Sequence, residues 1–262
     1  THYSNQFQNA ETYISKKCQN EEVNCAICYL SNTTSNFLIE LFTSSWFETS
    51  NNGEITWSEM YYLWKSFIRT ECDLPIMPIF MKNLKSQLAT KFNYKESTAS
   101  FTMIMSSKLL YVKTFHDFWN ATIESGDDEF EISEIWSLYL YWLHQQNGET
   151  NGINEEKIHF LIEHFSKSSI INGKTVLNIK CNLWDKQCEM NEILNQLKVD
   201  YNFYQEDDIS IYKLYKDYCS KILESDNGKT VSKKYFEKYI TRMIPVKYIK
   251  ENQLLKEYWT TF

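Results

Sequence analysis

An internal repeat constrains the fold of this chain more than any other feature of its sequence. Three nine-residue segments share one pattern of apolar positions: EMYYLWKSF (59–67), EIWSLYLYW (134–142) and SIYKLYKDY (210–218). The matched residues Met60, Ile135 and Ile211 lie 75 and then 76 residues apart. Within each segment the apolar spacing is i, i+3, i+4, i+7, which is one face of a helix. The period therefore predicts three copies of one structural unit.

Further predicted elements accompany each copy. A second helix follows at a similar distance, and its residues Met81, Ile158 and Phe236 repeat with offsets of 77 and 78 residues. These second helices are predicted at 78–88, 154–165 and 231–243. Another apolar-periodic helix precedes each copy, at 36–47, 114–123 and 190–201. Alternating, β-prone stretches close each copy, at 99–106, 174–184 and, more weakly, 246–259. Three helices followed by strands is the order of a winged helix-turn-helix.

The predicted fold class is mainly α with short β-hairpins, arranged as three tandem winged-helix-like repeats of about 76 residues. Only six Gly and three Pro are present, which leaves little material for a β-rich fold with many tight turns. The predicted domains are an N-terminal extension at 1–30, a first repeat at 31–110, a second repeat at 111–187 and a third repeat at 188–262.

Charge is distributed unevenly between the repeats, although the whole chain carries a formal net charge of -7. Residues 209–262 hold eleven basic and six acidic residues, a net of plus five, and six of the basic residues lie at 231–250, on the second helix and wing of the third repeat. A winged helix meets nucleic acid with these elements, where lysines contact phosphate and tyrosines stack on bases. The predicted nucleic-acid-binding residues are Lys229, Lys233, Lys234, Tyr235, Lys238, Arg242, Lys247 and Lys250. A solvated basic face is the alternative interpretation.

An acidic stretch in the second repeat supports a second hypothesis. Residues 124–134 carry six acidic residues and no basic one. Such a stretch suits a protein-interaction scaffold that docks a basic partner. The predicted partner-binding residues are Glu124, Asp127, Asp128, Glu129 and Glu131.

Motifs for catalysis or cofactor binding are incomplete. The segment 48–59, ETSNNGEITWSE, places Gly sixth, Ile eighth and Glu twelfth, as an EF-hand calcium loop does, and this makes a calcium-binding protein a distant alternative to a turn between two helices. NGKT occurs at 172–175 and 227–230, but the Gly that a phosphate-binding loop needs five residues earlier is missing, so both copies are predicted as turns. We therefore expect no catalytic residue, no metal site and no cofactor.

Parts of the first and third repeats resemble a known family. The strings EMYYLWKSFIRT…LPIMPIFMKNLKSQL and SIYKLYKDYC…TVSKKYFEKYI are similar to the winged-helix region at the C-terminus of poxvirus-type and phage or plasmid primase-helicases. The matching residues are Tyr61, Trp64, Lys65, Phe67, Phe80 and Leu84 in the first repeat, and Tyr212, Tyr215, Lys216, Tyr218, Ser232, Phe236 and Ile240 in the third. The resemblance covers about half of the chain and implies a non-catalytic module of a viral or plasmid replication or transcription protein. Nucleic acid, DNA or RNA, and other replication or transcription proteins are the partners it implies.

Cysteine usage and hydropathy bear on the compartment. Seven cysteines is an odd number and their spacing is scattered, which favours free thiols in a reducing, intracellular compartment, cytoplasm or nucleus. No stretch reaches the roughly 18 uninterrupted apolar residues of a membrane span, so no membrane partner is expected.

Overall fold

The computed structural model describes most of the chain: Thr12, Lys16 and residues 20–75, 77–166, 168, 170–204, 206–224 and 229–260. Contacts within the chain define two compact units, Thr1–Lys180 and Cys181–Phe262. We name them the N-terminal unit and the C-terminal unit and describe each by itself. The first predicted repeat and residues 111–180 of the second fall in the N-terminal unit, and residues 181–187 of the second fall with the third in the C-terminal unit.

Helices and strands alternate along the N-terminal unit. Its first part contains α1 (Glu21–Asn32), α2 (Ser35–Trp46), β1 (Glu48–Thr56), α3 (Trp57–Thr70), α4 (Met81–Lys91), β2 (Asn93–Lys95) and β3 (Ser100–Met105). A single 3-10 turn (Ser107–Leu109) then leads to α5 (Leu110–Thr122), β4 (Ile123–Glu131), α6 (Ile132–Gln145), α7 (Glu155–Phe165), β5 (Ile170–Ile171) and β6 (Thr175–Cys181).

The C-terminal unit repeats the same order of elements. It contains α8 (Lys186–Tyr204), β7 (Ile209–Ser210), α9 (Ile211–Glu224), α10 (Lys233–Met243), a 3-10 turn (Val246–Tyr248), β8 (Ile249–Lys250), β9 (Gln253–Leu254) and α11 (Glu257–Thr260). The chain is thus mainly helical with short strands, as the sequence predicts.

Three small sheets share one strand order. The sheets run β1-β3-β2, β4-β6-β5 and β7-β9-β8, so in each the last strand in sequence lies between the other two. Strands pair antiparallel in β1–β3, β2–β3, β5–β6, β7–β9 and β8–β9. The hairpins that the alternating stretches predict are therefore present, and each is extended by one further strand from earlier in the chain.

The segment 48–59 forms neither a calcium loop nor the turn that the sequence favours. Residues 48–56 are strand β1, paired with β3 on both sides of a register shift between Thr49 and Glu54. The Glu59 carboxylate accepts hydrogen bonds from the Thr56 backbone N–H (2.8 Å) and hydroxyl (2.7 Å), which completes a capping box at the start of α3. The carboxylate that an EF-hand would use for calcium thus serves a helix cap, and among the described residues no cluster of metal-binding side chains occurs.

The first NGKT copy is a hairpin turn. Asn172 and Gly173 both have positive φ, at 53° and 63°, and they join β5 to β6. Two successive residues of positive φ characterise the tight turn that Asn-Gly favours, so this copy is a turn as predicted. In the second copy, Asn227 and Gly228 lie outside the described residues.

Aromatic and histidine side chains join the first two predicted repeats inside the N-terminal unit. His164 on α7 hydrogen-bonds through Nε2 to the carbonyl oxygen of Ser58 on α3, at 2.9 Å. Its ring centroid lies 5.5 Å from that of Tyr62, and the Tyr62 hydroxyl meets the hydroxyl of Tyr111 on α5 at 3.0 Å. Burial, followed by the nearby Lys65 ammonium, lowers the pKa of His164 to about 4. A neutral imidazole is therefore part of this contact.

Acidification is expected to destabilise the N-terminal unit. An unfolded histidine binds a proton near pH 6.5, whereas native His164 does so only near pH 4. Between these values the unfolded state binds more protons, so stability is full above pH 6.5 and falls as the pH drops towards 4. We expect a loss of about 1 kcal/mol from pH 7 to pH 5 for this half-exposed group. Urea unfolding at both pH values measures the loss.

The variant His164→Gln is the control for this pH effect. Its amide still donates to the Ser58 carbonyl but does not titrate, so the pH dependence should be clearly weaker. All five histidines precede residue 181, so the C-terminal unit has none to titrate. An unchanged pH dependence in the variant would show that other groups cause it.

Candidate nucleic-acid interface

Helix α10 places most of the predicted basic residues on one exposed face. The helix starts at its cap residue Ser232, whose hydroxyl oxygen accepts the Tyr235 backbone N–H at 3.3 Å. Its apolar face is buried and consists of Tyr235, Phe236, Tyr239 and Ile240. Its opposite face is exposed and carries Lys233, Lys234, Lys238 and Arg242. The spacing i, i+4, i+8 aligns Lys234, Lys238 and Arg242 along the helix axis.

Aromatic packing fixes the orientation of α10. The Phe236 ring lies 5.0 Å from the Tyr218 ring and 5.3 Å from the Tyr215 ring, both on α9. The Tyr239 hydroxyl donates to the carbonyl oxygen of Gln187 at 3.3 Å. Because the apolar face is held by α8 and α9, the lysine face of α10 points to solvent.

Two of the remaining predicted cations lie on the 3-10 turn before β8 and on β8 itself. Lys247 and Lys250 are exposed, and the hairpin turns through Glu251 and Asn252, whose φ angles are 48° and 65°. Lys247 also lies over the Tyr248 ring, with Nζ 4.6 Å from its centroid. Lys229, before α10, is half-buried. The hairpin is short, and the segment 247–250 that leads into it is basic.

Tyr235 differs from its predicted role. It is buried at the first turn of α10, and the Lys186 ammonium lies 4.5 Å from the centroid of its ring. Lys186 is itself buried and lies 5.1 Å from the Trp184 ring. The Tyr235 ring thus belongs to the core and offers no face on which a base could stack.

Tyr212 has the exposure that Tyr235 lacks. It lies at the start of α9 and is 52% exposed. Lys216 and Lys233 place their ammonium groups 4.9 and 5.0 Å from the centroid of its ring, and Lys233 also meets Glu237 at 3.5 Å. The pattern Tyr-x-x-x-Lys on a helix was visible in the sequence, since residues four apart share a face.

A second basic helix and hairpin occur in the N-terminal unit and are not among the predicted site residues. Between residues 75 and 113 the chain has six lysines and one acidic residue, Glu96. Lys82 and Lys95 are exposed on α4 and β2. The Lys85 ammonium lies 4.5 Å from the Tyr94 ring, and a hydrogen bond to Tyr94 raises the pKa of Lys85, so this group stays charged. The sequence feature that reveals this surface is the local excess of lysine.

The acidic stretch forms strand β4, an outer strand of its sheet, rather than a loop before α6. Glu124 and Asp127 are exposed, and Asp127 pairs with Lys180 at 3.1 Å. The other predicted partner-binding residues are half-buried: Asp128, Glu129 and Glu131. The Glu131 backbone N–H donates to the Glu134 carboxylate at 2.8 Å, in a capping box at the start of α6. Part of this acidity therefore serves the local fold.

Comparisons with protein-family models, with curated proteins and with solved structures find no match to this chain. The structure adds one finding about membranes: in the described ranges, no helix has both the length and the apolar character that crossing a bilayer demands. Among the cysteines whose side chains are described, Cys25, Cys72, Cys188 and Cys219 are free thiols.

Proposed function

We propose that this protein is a non-catalytic nucleic-acid-binding module made of three tandem winged-helix repeats. In this proposal it belongs to a viral or plasmid replication or transcription protein and contacts phosphates through α10 and the β8–β9 hairpin. The resemblance of the first and third repeats to the winged-helix region of primase-helicases supports the setting. The arrangement of helices and strands supports the fold.

The repeat proposal rests on connectivity. Each copy runs helix, strand, helix, helix, strand, strand, and each sheet places its third strand between the other two. A winged helix has this order, with the third helix as the recognition helix and the last two strands as the wing. Helices α4, α7 and α10 occupy the recognition position, and β8–β9 is the wing of the third repeat.

The exposed cationic face of α10 is the observation that carries the binding proposal. Four cations lie on that face, and Glu237 is the acidic residue among them. Lysine ammonium groups act as point charges towards phosphate, and they position a backbone without reading its sequence. We therefore expect binding that depends strongly on salt and weakly on base sequence.

Neutralising the lysine face of α10 is expected to weaken binding of single- or double-stranded DNA or RNA. In Lys234→Gln/Lys238→Gln, two phosphate contacts are lost, so affinity at about 100 mM salt should fall at least about 10-fold. The slope of log affinity against log salt should also become shallower by about 2. Fluorescence anisotropy with labelled oligonucleotides across about 50–200 mM salt measures both quantities.

The control variant removes the same two positive charges as Lys234→Gln/Lys238→Gln, but from lysines outside α10 in the same unit. Lys221 pairs with Asp200 at 3.0 Å, and Lys256 pairs with Asp207 at 3.3 Å. Lys221→Gln/Lys256→Gln should bind nearly as the wild type does. Equal losses in both variants would indicate a non-specific charge effect, and no binding by the wild type at low salt would refute the proposal.

A protein-interaction scaffold is the second candidate function. Its specific support is the position of β4 at the sheet edge, with the carboxylates of Glu124 and Asp127 exposed. Both acidic residues would then attract a basic protein partner. Glu124→Gln/Asp127→Asn should abolish such an association and leave oligonucleotide binding unchanged, which separates the two candidates.

A further inference from the structure

Phe80, at the start of α4, is unusual both in its exposure and as a helix-cap residue. Its side chain is 86% exposed, which leaves a complete aromatic ring in water. It also occupies the cap position of the helix, where a phenyl ring offers no oxygen to the backbone N–H groups of the first turn. Both features cost stability, and such departures concentrate at functional sites.

The two other helices in the recognition position begin with a capping side chain. Asn154 caps α7 by accepting the Lys157 backbone N–H at 2.9 Å, and Ser232 caps α10 in the same way. These three residues precede the three helices in the recognition position. The first repeat therefore replaces a capping side chain with an exposed ring at the tip of that helix.

Lysines follow the exposed ring closely in the sequence. Lys82 and Lys85 follow Phe80 on the first turn and a half of α4, and residues 75–113 carry six lysines against Glu96. The exposed side chains of Met77 and Met81 extend the apolar tip. A basic protein would repel the lysines, and an apolar membrane interior would not accept them. Single-stranded nucleic acid complements both features, because its phosphates attract the lysines and its unpaired bases can stack on the ring.

We propose that Phe80 stacks on an unpaired base of single-stranded nucleic acid while Lys82 and Lys85 contact the neighbouring phosphates. The inference rests on the proposed function and adds a second binding position and a substrate class, the single strand. A base that is paired within a duplex has both faces covered by its neighbours, so stacking on Phe80 requires an unpaired base.

The test compares an ordinary DNA single strand with one in which the sugar-phosphate backbone is intact but several central bases are removed. Both strands have the same charge, so phosphate contacts anywhere on the protein cancel in the comparison. Wild type should bind the abasic strand about 10-fold more weakly than the ordinary strand, since stacking is lost. Phe80→Ser should bind both strands about equally.

Phe80→Ser also separates binding from folding. A serine restores the cap that Ser232 provides on α10, so the variant should unfold at the same or a higher urea concentration than the wild type. Phe37→Ser removes another ring that is 56% exposed in the same unit, on α2, and should leave strand discrimination at the wild-type value.

The outcomes distinguish failure of the Phe80 stacking proposal from failure of the α10 binding proposal. If Phe80→Ser keeps the wild-type difference between the two strands, the stacking proposal is overturned while the α10 proposal stands. The same holds if wild type binds both strands equally. Absence of any oligonucleotide binding by the wild type would overturn both proposals together.

Discussion

Replacing Phe236 by alanine is expected to unfold the C-terminal unit under conditions in which the N-terminal unit stays folded. Phe236 is fully buried, between the rings of Tyr215 and Tyr218 on α9. Truncating a buried phenylalanine costs about 3–5 kcal/mol, because transfer energy is lost and a cavity remains. This is a large part of the stability of a small unit, which is about 5–15 kcal/mol for a whole domain.

Hydrogen exchange across a urea series, read by mass spectrometry, assigns the loss to one unit. Peptides from 181–262 should lose protection at lower urea in the variant, and peptides from 20–180 should follow the wild type. Phe203→Ala is the matched control, because that ring is 78% exposed in the same unit and its loss should change stability by less than about 0.5 kcal/mol. Simultaneous loss of protection in both sets of peptides would contradict two independently stable units.

Most helices were predictable because their apolar periodicity is local. Helices α3, α6 and α9 coincide with the three repeated segments, and each extends a few residues beyond them. The second helices α7 and α10 also lie where the period places them, whereas α4 begins at Met81, three residues later than predicted. Helix α1 was missed, since it precedes the first copy of the repeat and has no counterpart to reveal it.

The first strand of each sheet was not predictable, because its pairing partner lies far along the chain. In β1, Glu54 is opposite Thr102, and the strand itself is polar, with an Asn-Asn-Gly sequence that favours a turn. The acidic strand β4 likewise lacks apolar alternation. Strand formation at such sites depends on tertiary pairing rather than on local propensity.

The candidate site was predictable in its charges and less so in its aromatics. Lysines are exposed almost regardless of the fold, so a local excess of lysine indicates a basic surface. A tyrosine occurs both in cores and on surfaces, and the face of the helix that carries it determines whether it is buried. Tyr235 shares the buried face with Phe236 and Tyr239, whereas Tyr212 lies beside the buried Ile211 on the exposed side of α9.

Substituting Gly53 by alanine is expected to destabilise the first sheet by about 2–3 kcal/mol, which is typical of strong overpacking. An ideal Cβ at this position would lie 2.2 Å from the carbonyl oxygen of Ile104 and 2.7 Å from its carbonyl carbon. Ile104 is on β3, the central strand, so its backbone cannot shift without disturbing pairs with both neighbouring strands. Hydrogen exchange of β1 and β3 and urea unfolding of the N-terminal unit measure the effect.

Gly152→Ala is the control that distinguishes crowding from backbone strain. Gly152 has a φ of +75° and no atom within 4 Å of an ideal Cβ, so its substitution should cost only about 1 kcal/mol, without loss of protection in β1 or β3. Calcium should not restore the stability of Gly53→Ala, because the Glu59 carboxylate is bound to the cap of α3. If calcium restored the stability of Gly53→Ala, the EF-hand hypothesis would be supported. If calcium has no effect, the result supports close packing of Gly53 against β3 as the reason for the glycine.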